Sequence, residues 1–420
     1  MALQTISLFT GAGGLDLGLE AAGFEQAIAV EMDQDCVTTI ECNPERDWRV
    51  IPRSILDVES SEILQQAGLA VGDADLLVGG PPCQPFSKSG FWATGDAGRL
   101  DDPRSATLGE FLRVLRDTQP KAFLLENVPG LKFSQKDEGL QLIRSELDAI
   151  NEALGTDYQL CAKQLNSVEY GVPQVRERVF VVGQRDGKAF EFPQPTHSRP
   201  PRVDPAKASL KLPLKLQPEL EAPRVAWDAL GDLEDEDRPE LKPRGKFATL
   251  LPSIPEGKNY LFHTPQGDGL GIFGWRRRYW SMLLKLAKNL PSWTLTAQPG
   301  PAIGPFHWKN RRLSARELCR LQTIPDGYTI SGDPRAVQRQ LGNAVPSAMA
   351  EILGREIRRQ LLDGHAPTAK PSLIPERRRP IPAPETPGPV PEAFYAMVAD
   401  HEPHPGTGKG PGALARAKRS

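Results

Sequence analysis

Cys83 lies in the segment GGPPCQPFS (residues 79–87), directly after an apolar run that predicts a buried strand. A cysteine in a proline-flanked loop at the carboxyl end of such a strand is placed where open α/β sheets bind ligands. A thiolate in that position could act as a nucleophile, and a buried structural cysteine is the alternative. The glycine-rich residues 87–102 that follow form a loop long enough to close over a ligand.

Two further segments place polar groups at the same predicted sheet edge. Glu126 ends another apolar run, in ENV, where a carboxyl group beside a nucleophile could protonate a ring nitrogen; helix capping is the alternative. In QVRER, Arg176 and Arg178 alternate along an extended segment, so their side chains are expected on one face. Such a pair could fix a carbonyl oxygen or a phosphate, or could simply be surface charge.

The segment FTGAGG (residues 9–14) follows an apolar run and opens a helical pattern. Its glycines would let the backbone approach a ligand closely, and Glu31, 20 residues after Gly11, could accept hydrogen bonds from both hydroxyls of a ribose. Asp16 occupies the last glycine position of the dinucleotide pattern, which favours a nucleoside ligand without a diphosphate over NAD. A plain tight turn is the alternative.

These side chains require a sheet that brings strand ends together. Continuous apolar runs separated by helical patterns are typical of a parallel sheet covered on both faces, and therefore of a doubly wound α/β domain. The runs occupy residues 5–9, 27–30, 74–78, 122–125 and 179–182. Helical patterns occupy residues 15–22, 35–41 and 314–321, and another begins at Pro346.

The composition of the chain argues against several classes of protein, including membrane and secreted proteins. Of 420 residues, 39% are hydrophobic and 25% are charged, so the chain can bury a core. No apolar run is long enough for a membrane span, and the first residues are not expected to form a secretory signal. The five cysteines are scattered, without CxxC spacing, which argues against disulfides and zinc and indicates a reducing cytoplasm.

Charge is unevenly distributed along the chain. Residues 1–241 contain 24 basic and 40 acidic side chains, whereas residues 242–312 contain 12 basic and 2 acidic ones. The second segment also holds ten aromatic residues without a sustained period, which predicts an irregular lobe. A basic, aromatic segment attached to an acidic body indicates a surface that binds a polyanion.

Together these segments resemble the DNA (cytosine-5) methyltransferases. FTGAGG, GGPPCQPFS, ENV and QVRER match motifs of that family in order, and residues 311–328 and QLGNAVP (residues 340–346) resemble its two closing motifs. The resemblance extends from Ile6 to about Ile357. It implies a Rossmann-like S-adenosylmethionine-dependent methyltransferase domain with a smaller irregular target-recognition lobe. The expected domains are residues 1–185 plus 335–362 for catalysis and cofactor binding, 186–334 for target recognition, and 363–420 as a proline-rich, disordered tail.

The resemblance also implies a role for each matched residue. Cys83 would attack a flipped-out cytosine, Glu126 would stabilise its ring, and Arg178, with Arg176 alongside, would hold its carbonyl oxygen. The family's usual adenine-binding aspartate is Ser54 here, and either Ser54 or Asp57 is expected to replace it. The implied cofactor-binding residues are Phe9, Gly11, Gly13, Gly14, Leu15, Glu31, Met32, Ile55, Pro82, Asn343 and Val345. The implied DNA-binding residues are Ser87, Ser89, Arg276, Arg277, Arg278, Thr294 and Leu295.

The implied activity is methyl transfer from S-adenosylmethionine to C5 of cytosine in a specific double-stranded DNA sequence. An RNA cytosine-5 methyltransferase and a catalytically inactive DNA-binding homologue are the alternatives. The expected protein is a cytoplasmic, nucleoid-associated monomer that needs no metal and no membrane. A cognate restriction endonuclease that acts separately is its expected partner.

Overall fold

The computed structural model describes residues 2–82, 106–131, 138–200, 219–233, 238–273, 280–365 and 369–398. The chain divides into two compact units. The first comprises Met1–Ser167, Arg176–Gln194 and Gln322–Ile374. The second comprises Val168–Val175, Pro195–Leu321 and Pro375–Ser420. In the described part of the chain, no helix has the length and apolar character needed to cross a membrane.

A seven-stranded sheet forms the centre of the first unit. Its strands are β1 (Leu3–Leu8), β2 (Phe24–Val30), β3 (Val50–Ile51), β4 (Leu76–Gly79), β5 (Ala122–Asn127), β6 (Cys161–Asn166) and β8 (Glu177–Gln184), in the order β3-β2-β1-β4-β5-β8-β6. The first five strands of that order are parallel. The predicted α/β class is therefore confirmed, and each predicted apolar run lies in or next to a strand.

Helices connect these strands. In the first unit they are α1 (Gly14–Ala21), α2 (Gln34–Glu41), α3 (Ser60–Ala67), α4 (Ala106–Thr118), α5 (Glu138–Leu154), α8 (Pro334–Asn343) and α9 (Ser347–Leu361). In the second unit they are α6 (Ala226–Leu230) and α7 (Ala315–Leu321). The apolar faces of α3, α4 and α5 and the alternate side chains of β1, β2, β4, β5 and β8 share one hydrophobic core.

One edge of the sheet differs from the all-parallel prediction. Strand β8 is antiparallel to both β5 and β6. Only ten residues separate β6 from β8, too few for the crossover that a parallel pair needs, so the chain reverses direction. The reversal brings the beginning of β8 beside the end of β5.

The C-terminal part of the first unit packs directly on its N-terminal helix. A Cβ added at Gly18 of α1 would lie 2.2 Å from the carbonyl oxygen of Ser347 and 2.5 Å from the Cβ of Ala350. Glycine is needed at this position because no side chain fits between the helices. Gln322 accepts a hydrogen bond from the backbone of Ser347, 3.0 Å away, and so joins the same unit. The unit therefore resumes at residue 322, before the predicted boundary at residue 335.

The second unit is irregular between residues 242 and 312. Its described residues there form the 3-10 turns Ala248–Ser253 and Tyr260–His263 and strand β9 (Ser292–Trp293), which pairs with β7 (Gln174–Val175). Its core contains Leu250, Ile254, Tyr260, Phe273 and Phe306, and Phe394 from the predicted tail joins it. Residues 375–398 are thus ordered against this core, and the prediction of a disordered tail is wrong for them.

Candidate active site

Glu126 and Arg178 meet where β5 ends and β8 begins. Glu126 Oε1 lies 2.7 Å from Arg178 Nε, and the two side chains are 11% and 16% exposed. The antiparallel register produces this contact, because Asn127 of β5 pairs with Val179, the residue after Arg178. The carboxylate and the guanidinium therefore form a partly buried ion pair, and Arg178 Nη1 also donates a hydrogen bond to the carbonyl oxygen of Glu177 over 2.8 Å.

The same edge holds the segment that leads to Cys83. A Cβ added at Gly80 would lie 3.0 Å from Glu126 Oε2, so a larger residue here would push the carboxylate away from the backbone. Asn127 Nδ2 donates a hydrogen bond to the carbonyl oxygen of Pro81 over 3.2 Å. Cys83 itself lies outside the described residues, two positions after Pro81. The backbone that leads to Cys83 thus lies beside Glu126, at the sheet edge that the sequence predicts.

Arg176 makes contacts different from those of Arg178. It is 1% exposed, and its Nη2 donates hydrogen bonds to the carbonyl oxygens of Gly342 (2.9 Å) and Asn343 (3.2 Å). Burial, followed by the charge of Arg178, lowers the pKa of Arg176 well below its usual value. Strand β7 ends before Arg176 and β8 begins after it, so the alternation assumed in the sequence is interrupted. Arg176 thus holds the segment at the end of α8 through these hydrogen bonds, and its predicted role beside Arg178 at a substrate carbonyl oxygen stays a prediction.

The glycine-rich turn forms a cradle around the carboxylate of Glu31. The backbone is left-handed at Phe9 (φ 55°), Gly11 (φ 57°) and Gly13 (φ 75°). Glu31 Oε2 accepts a hydrogen bond from Gly11 N over 2.8 Å, and Oε1 accepts one from Asp33 N over 2.7 Å. Burial raises the pKa of Glu31, although these bonds oppose the shift. A carboxylate offers about four acceptor positions, so at least one remains for a ligand hydroxyl beside these bonds and the backbone hydrogen bond from Met32.

Residues distant in sequence pack against Gly13 and Gly14 of the glycine-rich turn. A Cβ at Gly13 would lie 2.7 Å from the indole of Trp48 and 3.0 Å from the hydroxyl oxygen of Tyr328. A Cβ at Gly14 would lie 2.5 Å from the carbonyl oxygen of Val345, which is buried. Val345 therefore packs directly on the glycine-rich turn, and its role in closing the cofactor pocket stays a prediction. The contribution of Trp48 was missed, because its distance in sequence gives no signal.

The other predicted cofactor-binding residues differ in how exposed their side chains are. Leu15 and Ile55 are buried, whereas Asn343 and Pro82 are exposed. Met32 is 70% exposed, an unusual apolar surface directly after Glu31. At the two candidate replacements for the missing aspartate, Ser54 Oγ accepts a hydrogen bond from Leu56 N over 3.3 Å, and Asp57 is exposed.

The predicted DNA contacts are divided between described and undescribed segments. Ser87, Ser89 and Arg276–Arg278 lie outside the described residues. Thr294 donates a hydrogen bond from Oγ1 to the carbonyl oxygen of Val175 over 2.7 Å. Leu295 is 1% exposed, and its role as a DNA contact stays a prediction. Its apolar side chain belongs to the packing of the second unit.

The fold and the acid–arginine pair at its carboxyl edge define an α/β enzyme site. The family model for C-5 cytosine-specific DNA methylases matches residues 3–359. The chain therefore belongs to the C-5 cytosine-specific DNA methylase family, and it is a DNA (cytosine-5-)-methyltransferase.

Individual relatives support this assignment. The type II methyltransferase M.SacI of Streptomyces achromogenes is 38% identical, over 86% of this chain and 93% of its own. M1.HphI of Haemophilus parahaemolyticus is 31% identical, over 85% and 87%. Both are type II methyltransferases, the class found in restriction–modification systems.

Solved structures support the fold. A prophage-encoded DNA modification methyltransferase of E. coli has a TM-score of 0.56 at 24% identity, over 86% of this chain and 99% of its own. The DNMT2 of Spodoptera frugiperda has a TM-score of 0.55 at 15% identity, over 85% and 99%. At these identities the likeness concerns the Rossmann-like methyltransferase fold alone.

Proposed function

We propose that this methyltransferase uses S-adenosylmethionine to methylate C5 of a flipped-out cytosine in a specific duplex DNA sequence, through a covalent bond to Cys83. The observation that supports this most is the contact of Glu126 with both Arg178 and the backbone leading to Cys83. An acid, a cation and a nucleophile loop then converge on one base. Flipping is required because C6 of a stacked cytosine is inaccessible to a thiolate.

The chemistry divides among these residues. The Cys83 thiolate attacks C6, and the ring electrons move toward C5, which forms a bond to the incoming methyl group. Glu126 donates a proton to ring N3, where negative charge develops, and Arg178 binds the base carbonyl oxygen while its contact with Glu126 fixes the orientation of that side chain. As C5 bonds to the methyl group, the bond between that group and the sulfonium of its donor would break and leave a neutral thioether. A solvent base then removes the C5 proton and N3 returns its proton to Glu126; the electron pair left at C5 restores the double bond to C6 as the bond between C6 and sulfur breaks and releases the thiolate.

The described cradle fits S-adenosylmethionine. That cofactor supplies an activated methyl group from its sulfonium. Glu31 would bind its ribose hydroxyls, and the apolar surface of Met32 with buried Ile55 would adjoin its adenine. The left-handed glycines leave the turn without side chains where the cofactor would approach. Asn343 lies on the segment positioned by Arg176 and would close the same pocket.

Glu31→Ala is expected to weaken S-adenosylmethionine binding by about 1–3 kcal/mol, because charged hydrogen bonds to the ribose are lost. Isothermal titration calorimetry measures this directly. Glu25→Ala, an exposed acid on the same strand, is the matched control and should leave affinity unchanged. Equal affinities for wild type and Glu31→Ala would show that the ribose does not contact Glu31.

We further propose that the second unit recognises the target and that Arg276–Arg278 bind DNA phosphates. Replacing all three with alanine should reduce the slope of log affinity against log salt by about 2–3, since each phosphate contact releases close to one counterion. Cofactor affinity should not change. Replacing Arg116 and Arg359, exposed arginines of the first unit, is the control. An unaltered slope in the triple variant would exclude the cluster from the phosphate contacts.

The monomeric state, the cytoplasmic and nucleoid location, and a separate restriction endonuclease belong to the same proposal. Sequencing of bisulfite-treated DNA from a host that expresses the chain tests the reaction. We expect 5-methylcytosine within one short sequence context. Methylation confined to RNA, or no methylation with a folded protein, would instead favour the RNA enzyme or the inactive homologue.

A further inference from the structure

Residues 375–398, here called the C-terminal strap, lie beyond the family match, which ends at residue 359. Family membership therefore does not explain their order. The 3-10 turn Glu392–Met397 is the one regular element among its residues, all of which the structure describes. It contacts the rest of the second unit at three separate places, through an arginine, a glutamate and a phenylalanine.

The first contact fixes the beginning of the strap. Arg378 N donates a hydrogen bond to Asp228 Oδ1 over 2.9 Å, and Arg378 Nη2 lies 2.9 Å from Asp232 Oδ2. Asp228 is fully buried, and its Oδ2 accepts the backbone N–H of Val225 at the start of α6. The strap thus binds a carboxylate that also caps a helix of the lobe. Arg378 therefore anchors the beginning of the strap.

The second contact completes a buried charge cluster. Lys288 and Glu256 are 3% and 2% exposed, and Lys288 Nζ lies 2.7 Å from Glu256 Oε1 and 2.9 Å from Glu385 Oε1 of the strap. Glu385 N also donates a hydrogen bond to Glu256 Oε1 over 2.8 Å. Lys285, 3% exposed, is a second buried lysine, and it interacts electrostatically with Glu256 and Glu385.

The strap therefore supplies a negative charge that the cluster needs. Burial lowers the pKa of Lys285 to about 8, while Glu256 and Glu385 oppose that shift. Without Glu385, two buried lysines would share Glu256. An uncompensated buried cation is strongly destabilising, so the lobe would rearrange or hydrate there.

The third contact is apolar. Phe394 is 5% exposed and stacks on Phe247, with ring centroids 6.2 Å apart and an interplanar angle of 24°. It closes the core that contains Tyr260 and Phe273. Gly388 N also donates a hydrogen bond to the carbonyl oxygen of Pro252 over 3.0 Å. The strap thus spans the lobe from α6 to this core.

We propose that the C-terminal strap is a positioning element for DNA binding: it holds residues 242–273 and 280–312 in the conformation that engages the duplex. The inference rests on the proposed target-recognition role of the second unit. Glu385 and Phe394 act through the lobe residues that they contact and are positioning residues, not catalytic ones.

The test uses four single variants of the full chain. Glu385→Gln removes the charge, Glu385→Asp retains it, Phe394→Ala removes the apolar anchor, and Tyr395→Ala, 52% exposed, is the neighbouring control. Steady-state methylation gives kcat and KM for a duplex oligonucleotide, and calorimetry gives the affinity for S-adenosylmethionine.

Glu385→Gln and Phe394→Ala should raise KM for DNA by about tenfold while kcat at saturating DNA and cofactor affinity stay unchanged, the signature of lost binding. Glu385→Asp should recover most of the DNA affinity, and Tyr395→Ala should match wild type. If Phe394→Ala does not fold, the comparison of Glu385→Gln with Glu385→Asp is sufficient to test the proposal.

An unchanged KM in Glu385→Gln would overturn the proposal, and so would equal losses in Glu385→Gln and Glu385→Asp. A lower KM would also overturn it, by showing that the strap covers a cation cluster that DNA could use. Failure of the proposed function is distinguishable, because wild type would then not methylate duplex DNA at all.

Discussion

Cys83→Ser is expected to abolish methyl transfer while leaving folding and cofactor binding intact. A hydroxyl without a strong base beside it is a far poorer nucleophile than a thiolate, and the exchange is nearly isosteric. Transfer of a labelled methyl group to duplex DNA measures the activity, and calorimetry with S-adenosylmethionine reports the intact pocket. DNA binding should also survive, since pocket contacts drive flipping.

The control for this variant is Cys42→Ser. Cys42 is an exposed thiol at the end of α2, so its replacement should not alter turnover. Full turnover by Cys83→Ser would contradict the assignment of the nucleophile and the covalent mechanism with it. Loss of turnover in both variants would indicate an effect of the substitution that is not specific to Cys83.

Glu126→Gln is expected to lower kcat by about 10²–10⁴-fold, the range for loss of a positioned acid or base. The amide retains the shape of the carboxyl group but loses the charge that pairs with Arg178. Single-turnover methylation measures the chemical step apart from product release. KM for DNA and cofactor affinity should change little, because the lost interaction strengthens only as the ring becomes charged.

Glu177→Gln is the matched control, since Glu177 precedes Arg178 at the start of β8. Its rate should stay near that of wild type. A wild-type rate in Glu126→Gln would show that another group stabilises the ring. A rate lost equally in both variants would instead indicate that charge at the start of β8 is needed in general.

Local patterns were sufficient for the parallel core of the sheet. The runs around Leu77 and Leu124 are apolar on both faces and form fully buried strands, and the run around Ile6 is buried from Thr5 to Leu8. Strand β6 has no such run, because Cys161–Asn166 contains three polar residues and lies at the sheet edge. Since β6 was not predicted, neither was the antiparallel insertion of β8 beside it.

The remaining differences between the sequence-based expectations and the structure involve contacts between residues distant in sequence. Nothing near Arg176 indicates that its partners are the carbonyl groups of Gly342 and Asn343. The strap has few large apolar residues and many prolines, a composition typical of disorder. Its order depends on Phe394 and Glu385, whose partners include Phe247 and Lys288, far earlier in the chain. Glu31, in contrast, was identified because its spacing from Gly11 reflects one local βαβ unit.

The most direct measurement of the central claim uses duplex DNA with 5-fluorocytosine at the target position. Fluorine at C5 cannot leave as a proton does, so the bond between C6 and the Cys83 sulfur should persist after methyl transfer. We predict a protein–DNA adduct that withstands denaturant, requires S-adenosylmethionine and is absent with Cys83→Ser. Methylation of unmodified cytosine without any trapped adduct, or an adduct that forms equally with Cys83→Ser, would contradict the covalent mechanism.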